Sequence, residues 1–139
     1  MNNDIKQCEN QVMLFFRYLD ECKYDALVAL LAPDARWHRQ GKVLEGPAQV
    51  HAALMQRSPT MKIAHVITNL ASDEYDAQRC SIQAYMLVVR HEPGRQVAGP
   101  VPLNGIESIR RLQIRMAQHA GRWMISRLNA EDTIFAANP

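Results

Sequence analysis

The chain has 139 residues and a formal net charge of +2, with 47% hydrophobic and 22% charged residues. This length suits one folded domain covering residues 1–139, and the composition is not that of a disordered chain. The longest apolar runs, at 26–32 and 85–89, fall far below the roughly 20 residues that span a bilayer. The first residues lack a basic segment followed by an apolar one, so we expect no secretory signal and no membrane contact.

The three cysteines, Cys8, Cys22 and Cys80, form no CxxC pair and leave an odd thiol if two were bridged. Reduced thiols and a cytoplasmic location are therefore the simpler expectation. The histidines have no HxH or HExxH spacing and no glycine-rich phosphate loop is present. We accordingly expect no metal and no cofactor.

Basic residues are scattered, except for a late cluster at Arg110, Arg111 and Arg115. No basic stripe alternates with aromatic residues, as single-stranded nucleic-acid sites require. We interpret the cluster as a solvated strand face. A nucleic-acid partner is not expected.

Helical periodicity dominates the first part of the chain. Residues 5–22 place Val12, Phe15, Phe16, Leu19 and Cys22 on one face of an amphipathic helix. A second short helix is predicted over 24–31, with Leu27, Leu30 and Leu31 inward and Pro33 ending it. A third is predicted from Gly46-Pro47 to about residue 57. Between the last two we predict a strand at 35–40 and a return strand at 43–45.

From residue 62 the pattern changes to period two, which predicts strands over 62–70, 77–91, 109–118 and 122–129. The 77–91 strand carries an apolar row on one face: Cys80, Ile82, Ala84, Met86 and Val88. Residues 73–76 are predicted to turn, 92–105 to form a loop, and 130–139 to form a tail. The expected fold is α+β, a cone-shaped antiparallel sheet curved around the long first helix, with two shorter helices.

One histidine lies in an apolar row. Strict alternation within 62–69 points Ile63, His65 and Ile67 to one face. A buried imidazole needs hydrogen-bond partners, and the unperturbed pKa of histidine is close to neutral pH. Asp20 lies at the edge of the apolar face of the first helix, where it either looks into the interior or is solvated or caps the next helix.

Four segments carry a resemblance that covers nearly the whole chain. They are Phe-Arg-Tyr-Leu-Asp-Glu-Cys-Lys-Tyr-Asp-Ala-Leu at 16–27, Gly46-Pro47, His-Val-Ile-Thr-Asn at 65–69 and Gly-Arg-Trp-Met-Ile at 121–125. In this order they resemble the SnoaL-like branch of the nuclear transport factor 2 (NTF2-like) superfamily, whose members have a cystatin-like cone. In relatives such as scytalone dehydratase, bile-acid dehydratases and lindane dehydrochlorinase, an acidic residue ending the first helix pairs with a strand histidine inside the cone. The resemblance thus implies that Asp20 and His65 form a catalytic dyad.

Five aromatic residues are candidates for binding a substrate in such a pocket. Three of them are tyrosines whose hydroxyl groups could donate a hydrogen bond to a developing oxyanion: Tyr18, Tyr24 and Tyr85. Each could instead be a core aromatic residue with a satisfied hydroxyl. Phe16 and Trp37 could form walls of the pocket, or simply fill the core.

Three functions remain open at this point. The first is a cofactor-independent lyase or isomerase, of the dehydratase, double-bond isomerase or cyclase type, acting on a small apolar oxygenated substrate in a pocket of a few hundred Å³. The second is a non-catalytic assembly subunit, like the small subunit of aromatic-ring-hydroxylating dioxygenases. The third is a module that binds a small ligand without turning it over. In each case we expect a homodimer through the outer sheet face, because its strands are partly apolar on both sides.

Overall fold

The computed structural model describes residues 2–139, which form three helices and six strands. The helices are α1 (Asn2–Asp20), α2 (Tyr24–Val28) and α3 (Gly46–Leu54). The strands are β1 (Leu31–Arg39), β2 (Lys42–Glu45), β3 (Lys62–Tyr75), β4 (Arg79–His91), β5 (Ser108–His119) and β6 (Arg122–Ala136). No helix in this part of the chain is long and apolar enough to cross a membrane.

All six strands form one sheet in the order β2-β1-β6-β5-β4-β3. Every neighbouring pair is antiparallel except β1 and β6, which run parallel. The curved sheet and the long N-terminal helix confirm the predicted α+β, cystatin-like fold. The parallel pair was not predicted. Alternation of apolar and polar residues shows which face of a strand is buried, but it does not show in which direction the neighbouring strand runs.

The core lies between α1 and the inner face of the sheet. Val12, Phe15, Phe16 and Leu19 are buried, as the helical spacing predicts. The Phe15 ring contacts the Phe16 and Trp37 rings edge to face, at centroid distances of 5.1 Å each. These contacts attach the middle of α1 to the first strand of the sheet.

The end of α1 departs from the prediction at Cys22, which is exposed. The helix ends at Asp20, and Cys22 has a left-handed backbone with φ of 58°. This conformation ends the helical periodicity, so a spacing rule that extends through Cys22 assigns it the wrong face.

The second helix is also shorter than predicted. It ends at Val28, and Leu31 begins β1 by pairing with Ile125 of β6. Pro33 therefore lies within β1, where the register between the two strands shifts, and it does not end the helix. Proline is tolerated there because an irregular ladder leaves its missing N–H without consequence.

The strands β3 and β6 continue well past their predicted ends. The strand β3 continues to Tyr75, and the turn falls later because Asp76 Oδ1 accepts from the Gln78 and Arg79 backbone N–H groups at 2.7 and 2.9 Å. The predicted tail is also wrong, since β6 continues to Ala136 and its Phe135 pairs with Ile109 of β5.

Candidate active site

The end of α1 and the inner face of β3 meet at an aspartate–histidine pair. Ile63, His65 and Ile67 are all half-buried while their neighbours are exposed, which is the predicted alternation. Asp20 is the last residue of α1. Its Oδ1 lies 2.5 Å from His65 Nδ1, and its Oδ2 accepts the His65 backbone N–H at 2.9 Å. Both carboxylate oxygens thus bind the same residue.

This geometry determines where the ring proton of His65 lies. A carboxylate accepts hydrogen bonds and does not donate them, so the proton between the two side chains is on Nδ1. In the neutral form of the ring the Nε2 lone pair is then free, and no described residue lies in hydrogen-bond contact with Nε2. The His65 and Asp20 side chains are 10% and 21% exposed. A neutral imidazole held in this way presents an unoccupied base.

His65 lines a cavity that Asp20 does not line. The cavity volume is about 90 Å³, which is smaller than the few hundred Å³ predicted. It adjoins an open depression of about 390 Å³, with which it shares five lining residues, namely Arg39, Gln40, Arg57, Met61 and Arg90. Asp20 lines a separate groove beside Met13 and Glu21, and His65 lines that groove as well.

The inner walls of the cavity are apolar and its mouth is cationic. Its apolar lining includes Phe16, Leu19, Trp37, Met86 and Val88. Four arginines also line it, Arg39, Arg57, Arg90 and Arg110, together with Glu107. The site therefore combines apolar inner walls with a charged entrance.

Three of these arginines continue the inward-facing row of a strand. Arg39 lies two residues after buried Trp37, Arg90 two after buried Val88, and Arg110 two before buried Leu112. The alternation of inward and outward side chains along each strand therefore predicts that all three arginines face inward. We missed this signal in the sequence.

Assigning all of the late basic cluster to a solvated face was wrong for Arg110. It lines the cavity, whereas Arg111 and Arg115 are exposed. Arg110 donates to the Ala130 carbonyl at 3.1 Å. Adjacent residues of one strand point to opposite faces, so a run of charges belongs to both.

Arg57 follows α3 and joins three elements. Its Nη1 donates to the Leu19 carbonyl at 2.8 Å and to the Tyr24 hydroxyl at 2.9 Å. Burial raises the pKa of Tyr24, and a hydrogen bond with Cys22 adds to the increase, while the Arg57 charge opposes it. Tyr24 thus lies beside the cavity and orients a lining residue.

The Arg39 guanidinium is partly buried beside other cations. Burial lowers its pKa, and the charges of Arg57 and Arg90 lower it further. Its guanidinium carbon lies 5.2 Å from the Trp37 ring centroid, a cation–π contact that offsets part of the cost of burial.

The predicted site residues therefore separate into three groups. His65, Phe16 and Trp37 line the cavity, and Asp20 contacts it only through His65. Tyr24 is adjacent through Arg57, as described above. Tyr18 is half-buried outside the lining, and Tyr85 is 37% exposed between buried Ala84 and Met86, on the outer face of β4. Neither Tyr18 nor Tyr85 lines this cavity.

The other histidines do not assemble a metal site within residues 2–139. No group of three histidine, cysteine or acidic side chains lies close enough there to hold an ion. His51 Nε2 contacts Asp25 Oδ1 at 2.9 Å on the surface.

Solved structures that resemble the chain share its whole architecture. An NTF2-like protein with a cystatin-like fold from Novosphingobium aromaticivorans has a TM-score of 0.78 and 14% identity, with 98% of this chain and 86% of that chain covered. A protein provisionally named a scytalone dehydratase, from the same organism, has a TM-score of 0.74 and 17% identity, with coverages of 98% and 92%. A third, provisionally named an aromatic ring hydroxylase, has a TM-score of 0.78 and 17% identity, with coverages of 97% and 92%. At these identities the similarity shows the fold alone.

No curated protein matches the chain. The sequence profile of the SnoaL-like domain matches residues 2–129, from the first turn of α1 into β6. The chain therefore belongs to the SnoaL-like domain family, within the NTF2-like fold.

Proposed function

We propose that the protein is a cofactor-independent lyase or isomerase that uses Asp20 and His65 as a dyad on a small oxygenated substrate. The observation that carries this proposal is the 2.5 Å contact between Asp20 and His65 Nδ1 beside a cavity that His65 lines. The scytalone dehydratase name given to one structural neighbour is consistent with a dehydration. The reaction class rests on the dyad and not on that name.

The dyad supports proton transfer at carbon. His65 Nε2 removes a proton from a carbon next to a carbonyl, and the electron pair moves to the carbonyl oxygen as an enolate. In a dehydration, the enolate expels a β-hydroxyl group, which takes the proton back and leaves as water. In an isomerisation, the same proton returns to the γ carbon and the double bond migrates. Asp20 stabilises the imidazolium in both cases.

A developing enolate also needs positive charge nearby. Tyrosine hydroxyls were the predicted donors, but Tyr18 and Tyr85 lie outside the cavity lining. The guanidinium groups at the cavity mouth take this role in our proposal, because charged donors in a partly dry site stabilise an oxyanion strongly.

The test is turnover of a panel of β-hydroxy carbonyl and β,γ-unsaturated carbonyl compounds, because both reactions produce a conjugated carbonyl that absorbs ultraviolet light. We expect His65→Gln to lower the rate by about 10²- to 10⁴-fold. His119→Gln, at the far end of β5, is the matched control and should keep full activity. Turnover that is unchanged in His65→Gln would refute the proposal.

A second candidate is a non-catalytic subunit that assembles with an oxygenase. The likeness to a structure provisionally named an aromatic ring hydroxylase favours it. In that case the 2.5 Å contact with Asp20 only meets the hydrogen-bonding need of the partly buried His65 ring. A large partner chain that copurifies in fixed ratio, with no turnover by the isolated protein, would select this function over the lyase.

A homodimer through the outer sheet face is part of both proposals. That face leaves Val66 47% and Tyr85 37% exposed on neighbouring strands, which a second copy would cover. Light scattering should give twice the chain mass of 15.8 kDa, and a monomer at micromolar concentration would contradict this. We place the protein in the cytoplasm, because its three cysteines are free.

A further inference from the structure

Four guanidinium groups from four separate segments converge on the cavity mouth. Arg39 ends β1, Arg57 follows α3, Arg90 is near the end of β4, and Arg110 is near the start of β5. Glu107 is the one acidic residue in the cavity lining. The fold brings these like charges together, and their mutual repulsion costs free energy. An anion that binds between the guanidinium groups lowers that cost.

The charges of three of these arginines are not neutralised by ion pairs. Arg90 Nε lies 2.8 Å from Glu107 Oε1. No described carboxylate oxygen lies within 4.0 Å of Arg39, Arg57 or Arg110. Guanidinium groups that are partly buried without counterions are uncommon, because buried charges are normally paired.

Neutral contacts hold these side chains in place. Arg57 is fixed by the Leu19 carbonyl and the Tyr24 hydroxyl, and Arg110 by the Ala130 carbonyl. Arg39 is stacked on Trp37. Such contacts pre-organise the guanidinium groups without using up their charge, so an incoming anion meets fixed donors with unused N–H groups.

We propose that this arginine mouth binds the acidic head group of the substrate, which is a small organic acid whose carbon skeleton enters the apolar cavity beside His65. The inference rests on the proposed function, because it names the substrate class of that same site. The shared chemistry is an anion that accepts paired N–H groups, which a carboxylate or a phosphate ester can supply. The apolar walls formed by Phe16, Trp37 and Met86 take the uncharged part.

The experiment compares three probes with the same pentyl tail and different heads, namely hexanoate, pentyl phosphate and hexanamide. Binding is followed by NMR shifts of the Trp37 indole and His65 ring signals at low salt. We expect one of the two anions to bind at least about tenfold more tightly than the amide, which is about 1.4 kcal/mol. The preferred anion identifies the head group as carboxylate or phosphate.

Variants separate this site from general surface charge. Arg39→Gln and Arg110→Gln, which remove two of the arginines without ion pairs, should each weaken binding of the preferred anion about fivefold or more. Arg115→Gln, on the outer face of β5 and exposed, is the matched control and should bind as the wild type does. Equal binding of all three probes, no binding of any probe at about 20 mM, or an equal loss in the control would overturn the inference.

The inference and the proposed function fail in different ways. Binding is also measured in Asp20→Asn, which retains every arginine. Anion-selective binding without any turnover of acidic substrates would contradict the dyad mechanism and leave the anion site standing. Turnover of neutral substrates with no anion preference would contradict the anion site alone.

Discussion

Replacing Asp20 with asparagine gives a sharp prediction, because both of its carboxylate oxygens bind His65. The asparagine side chain has one acceptor and one donor in their place. The His65 backbone N–H can only donate, so it keeps the asparagine oxygen, which is the acceptor it has at 2.9 Å in the wild type. The asparagine N–H₂ then faces Nδ1, which must become an acceptor. The ring proton therefore moves to Nε2.

Replacing the carboxylate with an amide determines how much stability and how much activity the variant loses. One charge-assisted hydrogen bond is lost and one backbone bond is kept, and Asp20 is 21% exposed, so we expect the free energy of unfolding to fall by about 1–2 kcal/mol. The base is lost altogether, because a protonated Nε2 cannot accept a proton, and activity should fall by about 10²- to 10⁴-fold. Asp20→Asn should therefore remain folded while it loses nearly all of its activity.

Nitrogen-15 NMR of the labelled histidine ring tests the tautomer directly, since protonated and unprotonated ring nitrogens have well separated shifts. Urea unfolding measures the stability. Glu21→Gln is the control, because this exposed neighbour pairs with Lys23 and does not contact His65. An Asp20→Asn variant in which His65 still carries its proton on Nδ1 would refute the reasoning.

Three further predictions follow from packing and titration. Phe15→Ala removes a fully buried ring and should cost about 3–5 kcal/mol in urea unfolding, whereas Phe135→Ala, at 64% exposure, should stay within about 0.5 kcal/mol of wild type. Arg57→Met removes two hydrogen bonds at the end of α1 and should cost about 1–3 kcal/mol, and an unchanged urea midpoint would mean that they do not stabilise the fold. Hydrogen bonds from Ser58 first, and then from Thr60 and the Gly94 N–H, lower the pKa of Glu92. Their stabilisation is therefore present above the ordinary glutamate pKa and is lost as pH falls through the lowered pKa. The protection factor of the Gly94 amide, which is its exchange rate relative to the unfolded chain at the same pH, should therefore fall only in that acidic range and should not change there in Glu92→Gln.

Regular patterns predicted the fold well because helix and strand faces have fixed periods. The buried face of α1 through Leu19 and the inner row of β4 are both where spacing placed them. The failures lie at element ends, at Cys22, Leu31 and residues 130–136, where single backbone conformations and distant pairing partners decide the outcome. Local sequence does not contain those partners.

The aspartate–histidine pair could be predicted from the sequence, whereas the arginine cluster at the cavity mouth could not. Asp20 and His65 came from resemblance together with alternation, and the structure brings them into contact. The arginine mouth went unnoticed because Arg39, Arg90 and Arg110 are remote in sequence and meet only when three strands end together. Tyr85 lies on the outer face of β4. This strand is partly apolar on both faces, so its sequence alone does not tell which face is inner.

The central claim is that His65 removes a proton from carbon in the cavity. Deuterium exchange tests it most directly, with levulinate and its methyl ester in D₂O followed by NMR at the carbons beside the ketone. We predict that the wild-type protein accelerates exchange over buffer in at least one of the two compounds, and that His65→Gln abolishes the acceleration while His119→Gln does not. Exchange at the buffer rate with wild-type protein, or acceleration that survives in His65→Gln, would contradict the account.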